Sequence, residues 1–269
     1  MLLTLPAQSV QARDPFSPVS PRHEAARLMS AELAISAALA QRQRLLGAPA
    51  PSSLMDRVRF DMAMAAADFN YRTAIRQEEL RVYELASYAS VQGQVVPLLP
   101  RSVSRPVSDA IAGLHSLYAL AGFDQYYLVH AHFAFPYASA APVASLRAYY
   151  IEAQRTYGVD ASYLASINFI ESSFGRNNGP SSAGALGPMQ FLPGTWANWG
   201  QGGNVNDPHD AIMAAARYLV HYGAPADMRT AIFHYNLDYD YVDAVAYFAR
   251  AIRDDPAWLD RLYYWNTSG

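Results

Sequence analysis

Residues 161–175 read ASYLASINFIESSFG. The run from Ala161 to Glu171 holds no Gly or Pro, and Asp160 just before it offers a side-chain oxygen to cap a helix N-terminus. Before that, LRAYYIEAQRTYG (146–158) is an amphipathic helix ended by Gly158. Two helices therefore meet near residue 159, and Glu171 falls in the last turn of the second. Its predecessors Ile167, Phe169 and Ile170 offer a carboxylate nothing, and a buried carboxylate is costly unless paired or protonated. Glu171 is either a solvated helix-end residue or an acid kept for chemistry.

After Glu171, FGRNNGPSSAGALG (174–187) has the Gly, Asn and Ser content of a loop. Pro188 suits the first turn of a short helix carrying Met189, Gln190 and Phe191, closed by Pro193 and Gly194. Asp207, Pro208 and Asp210 have the pattern of N-cap, N1 and N3 for a helix ended by Gly223. From Arg229 the pattern is helical through Ala251. With no alternating strand pattern after Pro142, the fold class expected is all-α.

Upstream, Pro6, Pro15, Pro18 and Pro21 punctuate residues 1–22, a flexible leader whose MLLTLPAQSVQA resembles the tail of a secretory signal. From His23 to Leu46, Leu28, Ala31, Ile35, Ala38 and Leu45 recur at helical spacing. GAPAPSS (47–53) is a turn, and a second run reaches Gln92 with Leu54, Val58, Ala65, Phe69, Leu80 and Tyr83 near one stripe. This predicts an antiparallel helical hairpin over 23–100. The second run is long enough to expect a kink or a partial coiled coil, and its a and d positions are too mixed to specify an oligomer. Residues 101–141 are expected as a loosely helical connector with one helix, Val107 to Ala121, and residues 142–269 as the domain that carries the chemistry. A module of residues 23–92 separable from that chemistry is expected.

A formal charge of −3 and the absence of a Lys/Arg block exclude the clustered positive charge of a nucleic-acid binder. No stretch has the ~20 apolar residues of a membrane span. No cysteine means no thiol catalysis and no thiolate metal site. His130 and His132 stand two apart in the aromatic stretch YYLVHAHFAFPY without a third ligand nearby, and Asp238 with Asp240 lack the Gly and Glu of a calcium loop. Neither metal nor cofactor is expected.

Several blocks in order carry a resemblance: Glu171-Ser172 with Phe174, Ser181, Gly184-Ala185, Gly187-Pro188-Met189-Gln190-Phe191, Pro193-Gly194-Thr195-Trp196, Asp207-Pro208, Ala214 to Leu219, and Tyr235-Asn236. Over about residues 143 to 252 the chain resembles the soluble lytic transglycosylase family. The resemblance implies a lysozyme-like, goose-type helical fold and a substrate in the glycan strands of bacterial peptidoglycan, outside the cytoplasm. It implies Glu171 as the single catalytic acid and base. Ser181, or Ser182 beside it, takes the place of a serine that orients substrate or carboxyl. Met189, Gln190 and Phe191 match the block lining the sugar subsites, although as isolated apolar residues Met189, Phe191 and Trp196 would be core. Tyr235 and Asn236 match the pair that closes the site, with the Tyr235 hydroxyl expected on the carboxyl. Pro188 stands where many members have a larger apolar residue, and Leu237-Asp238 replaces a small Ala-Gly.

The chemistry points the same way. An acid that protonates a leaving glycosidic oxygen must stay protonated near neutral pH. Raising a Glu from ~4.3 to about 6 takes roughly 2.3 kcal/mol, most of which must come from apolar neighbours. A hydrolase needs a second carboxylate across the sugar, and the motif blocks show no obvious one, since Asp207 and Asp210 are explained by capping, which leaves Asp238 or Asp240 as the acid that folding could bring near. A lytic transglycosylase needs none. A hydrolytic muramidase on the same fold and a non-catalytic wall-binding protein are the alternatives, the latter using the N-terminal helices to engage a protein partner.

Overall fold

The computed structural model describes residues 20–122 and 139–265, and among these every regular element is helical. Nearly all of the expected leader, residues 1–19, and the stretch with His130 and His132 lie outside the described residues. Helix α1 (Pro21–Leu46) and helix α2 (Leu54–Ser87) form the hairpin, with Ser53 Oγ accepting from Asp56 N–H to start α2. The expected break in the second run falls at Tyr88, between α2 and α3 (Ala89–Val95). The apolar stripe of α2 is corrected. Tyr71, Ala74, Ile75, Val82 and Leu85 face the core and Ala67 is buried, while Leu54, Val58, Ala65 and Phe69 are exposed. Both faces carry apolar residues at helical spacing, so spacing alone does not say which one is covered.

Helix α4 (Arg101–Leu120) begins six residues before the expected Val107 and has Pro106 in its interior. It is no loose connector. It lies along α10 (Tyr239–Asp254), and Gly113 allows the approach: a Cβ there would stand 2.8 Å from the Phe248 ring. Helices α6 (Ala161–Ser172) and α9 (Met228–Tyr235) pack on α10, and α5 (Val143–Tyr157) and α8 (Pro208–His221) pack on α6 and on each other. The helical run expected from 229 to 251 is thus two helices, parted at Asn236–Leu237 where Asp238 caps α10 through Asp240 N–H.

One apolar core runs from the proximal half of the hairpin through α4, α6 and α10 to α11 (Trp258–Tyr264). Phe169 meets Phe248 and Trp265, and Trp265 meets Tyr83 of α2. An ionic knot ties the same elements. Arg261, buried on α11, donates to both Glu32 oxygens at 2.7 and 2.9 Å and to Glu78, with Asp255 at 3.4 Å. Asp260 accepts from Arg147 of α5 and Tyr71 of α2. No helix among the described residues is long and apolar enough to cross a membrane.

Candidate active site

Helix α6 delivers Glu171. Asp160 caps it by accepting from Ser162 N–H at 2.8 Å, and it runs buried through Leu164, Ile167, Asn168 and Phe169 to end at Ser172. The chain then leaves the helix through three left-handed residues, Ser173 (φ 49°), Phe174 (φ 63°) and Gly175 (φ 89°). The first two hold a conformation that side chains disfavour by on the order of 1 kcal/mol or more each. Ser172 fixes the exit: its buried hydroxyl donates to the Pro188 carbonyl at 2.6 Å and accepts from Gly175 N–H at 2.8 Å.

Residues 187–190 are a tight turn and not the expected short helix. Leu186 and Phe191 close it with two backbone hydrogen bonds of 2.9 Å, and Pro193 starts α7 (Pro193–Trp199) instead of ending a helix. The reason lies in Gly187, which has φ +73° and lies against the next loop, so that a Cβ would stand 1.9 Å from the Val205 carbonyl oxygen. Gly187→Ala should cost on the order of 3 kcal/mol through the clash and the backbone strain, seen as a lowered melting temperature with activity falling alongside.

The expected site residues take distinct places. Met189 and Phe191 are buried, so their side chains are core here, with Phe191 packed among Trp196, Tyr218 and Tyr235. Gln190 (φ 49°) donates from Nε2 to the carbonyls of Gly187 and Gly179, holding the loop to the turn. Ser181 Oγ accepts from Ala185 N–H and shapes the 181–185 turn; Ser182 is exposed. Asn236 is half-buried at the end of α9. The Tyr235 hydroxyl donates to the Met189 carbonyl at 2.7 Å, and not to the carboxyl as expected.

The hydroxyl on the carboxyl is that of Tyr241, which donates to Glu171 Oε1 at 2.6 Å. The Tyr241 and Tyr235 rings lie parallel, 6.5 Å between centroids. Burial first, then the Glu171 charge, keeps both tyrosine hydroxyls protonated well above their ordinary range. Glu171 itself is part-exposed as a residue, yet its carboxyl is dehydrated. Burial pushes it up to about 7, against the Tyr241 hydrogen bond, which lowers it. Among the described residues, no second carboxylate figures in the groups that act on it. Such an acid is half protonated at neutral pH and able both to give and to take a proton.

Tyr241→Phe checks that pairing. A hydrogen bond to a charged group contributes about 1.5–3 kcal/mol, so its loss should move the Glu171 titration at least ~1 unit upward. The alkaline limb of the pH–rate profile should shift with it, whereas a purely structural role would lower the rate and leave the limb in place.

Among the described residues, Asp207, His209 and Asp210 come together at the N-terminus of α8 in a spacing that metal ligands can have. Asp207 caps the helix through two N–H groups and Asp210 accepts from Asn204 N–H, so local structure accounts for both carboxylates.

Residues 148–238 match the family of the Transglycosylase SLT domain. The span covers about a third of the chain and includes Glu171, the 187–191 turn and Tyr235-Asn236. Tyr241 lies three residues beyond it. No curated protein and no solved structure matches the chain.

Proposed function

We propose that this chain is a lytic transglycosylase that cleaves the β-1,4 bond between N-acetylmuramic acid and N-acetylglucosamine, with Glu171 as acid and then base. A domain of the matched family implies cleavage of peptidoglycan in general. The observation that carries the finer reading is one dehydrated carboxyl, held by Tyr241 and raised to about 7, with no second carboxylate of the described residues acting on it.

Protonated Glu171 gives its proton to the glycosidic oxygen as the bond to C1 of the muramic acid breaks. The carboxylate left behind accepts the proton of that sugar's C6 hydroxyl as the oxygen bonds to C1, closing the 1,6-anhydro ring. Glu171 ends protonated and no water is consumed. Tyr241 positions the carboxyl throughout, and Tyr235 braces the 187–190 turn beside it. A peptidoglycan substrate lies outside the cytoplasm, and the chain is proposed to act there with it.

Release of soluble muropeptides from purified peptidoglycan tests this reading. Because the acid form of Glu171 starts the reaction, kcat/KM should be flat below about pH 7 and fall about tenfold per unit above it. A rate that rises through pH 8 would contradict it.

A further inference from the structure

The distal half of the α1–α2 hairpin stands away from the body: between Leu39 and Tyr71 no residue joins the core that runs through the other helices. Along that half, α2 carries a second apolar seam. Met55, Val58, Met62, Ala65 and Phe69 succeed one another at intervals of 3, 4, 3 and 4 residues. The exposure is large for surface residues: Met55 60%, Val58 43%, Met62 68% and Phe69 70%, with Leu54 at 79% on the flank. A 3.5-residue repeat is the signature of helices packed side by side at about 20°.

We propose that this seam is a homodimer interface, in which two copies pair their α2 helices antiparallel about a two-fold axis and the two hairpins form a four-helix bundle. An axis passing between Ala63 and Met64 sets Met62 against the partner's Ala65 and Val58 against the partner's Phe69, a larger side chain opposite a smaller one in each layer. Antiparallel layers alternate in this way because an a position faces a d position. The seam holds no charge between Met55 and Phe69, so it asks for no partner of opposite sign. Of the acids on its edge, Asp68 is neutralised by Arg42 of the same hairpin. With this axis Arg72 falls opposite the partner's Met55 and Pro51 ends the run beyond it, so the contact is closed and self-complementary.

The area suits a weak, specific dimer. A fully exposed Phe offers on the order of 150–250 Å² and the smaller Met, Val and Ala less, so the part-exposed seam offers about 500 Å² per copy. The ~1,000 Å² total stands at the lower bound for a specific interface, where micromolar dissociation constants are common.

Sedimentation equilibrium of the full chain, from about 1 to 200 μM, should show a monomer–dimer equilibrium in that range. Met62→Glu should weaken it at least 100-fold with an unchanged circular dichroism spectrum. Leu33→Glu, at a residue 66% exposed on α1 outside the seam, should leave it unchanged. Since the chain has no cysteine, Val58→Cys with Phe69→Cys should give a disulfide-linked dimer on oxidation, and neither single variant should. A monomer at every concentration overturns the proposal, as does a Met62→Glu protein that dimerises like the parent or a Leu33→Glu protein that fails to.

Discussion

Glu171→Gln is expected to lower the rate of glycan cleavage by about 10² to 10⁴ while glycan binding persists. Gln keeps the shape of the side chain and an oxygen for the Tyr241 hydroxyl, yet has no proton to deliver. The same change should stabilise the fold. A carboxyl raised from 4.5 to about 7 by burial is one whose folded state resists ionisation. Stability is lost as pH rises from the unfolded value through about 7, amounting to roughly 3 kcal/mol once ionisation is complete. Gln at 171 escapes that loss, so its melting temperature should exceed the parent's at pH 8 and match it near pH 4. A variant that is inactive and less stable at pH 8 would mean that Glu171 holds the structure together instead of carrying out its chemistry.

Arg261→Ala should be the most destabilising single change, costing about 3–5 kcal/mol, because it strands buried carboxylates without their cation. Glu32 on α1, Glu78 on α2 and Asp255 before α11 all converge on that one guanidinium. Burial first, then the nearby Glu32, push Glu78 well above the usual carboxylate range while Arg261 pulls it down. Glu78→Gln keeps the side-chain shape and an oxygen for Arg261, which still has Glu32 as its counter-ion, so it should cost less than Arg261→Ala. Thermal melts rank the two, and limited proteolysis shows whether the hairpin is the part released. Equal losses for the two variants would contradict the place of Arg261 as the shared cation.

Local signals make much of the helical frame legible in the sequence. Gly158, Asp160, Asp207 with Pro208 and the turn at 47–53 act within a few residues of themselves, and the helices begin and end where they stand. The turn at 187–190 is not legible in this way, because Pro188 satisfies a helix N1 position as well as a turn, and what decides is the Val205 carbonyl behind Gly187, nearly twenty residues away. Tyr241 has no local mark either. Its hydroxyl reaches a carboxyl seventy residues earlier, and only the packing of α10 on α6 brings the two together. Tyr235, in a recognisable block, draws the expectation that belongs to its neighbour. Glu32, Glu78 and Glu79 look like solvated positions in the sequence and are buried in the structure, since a single Arg near the C-terminus supplies what Glu32 and Glu78 lack.

Everything proposed for the reaction depends on Glu171 working alone, and the chemical form of the product reads that directly. Digestion of purified peptidoglycan by the full chain, followed by mass spectrometry of the released muropeptides, should give chains ending in 1,6-anhydromuramic acid, each lighter by one water than its reducing-end counterpart. Products ending in reducing muramic acid would contradict it, for they carry an added water that the anhydro-ring reaction does not consume.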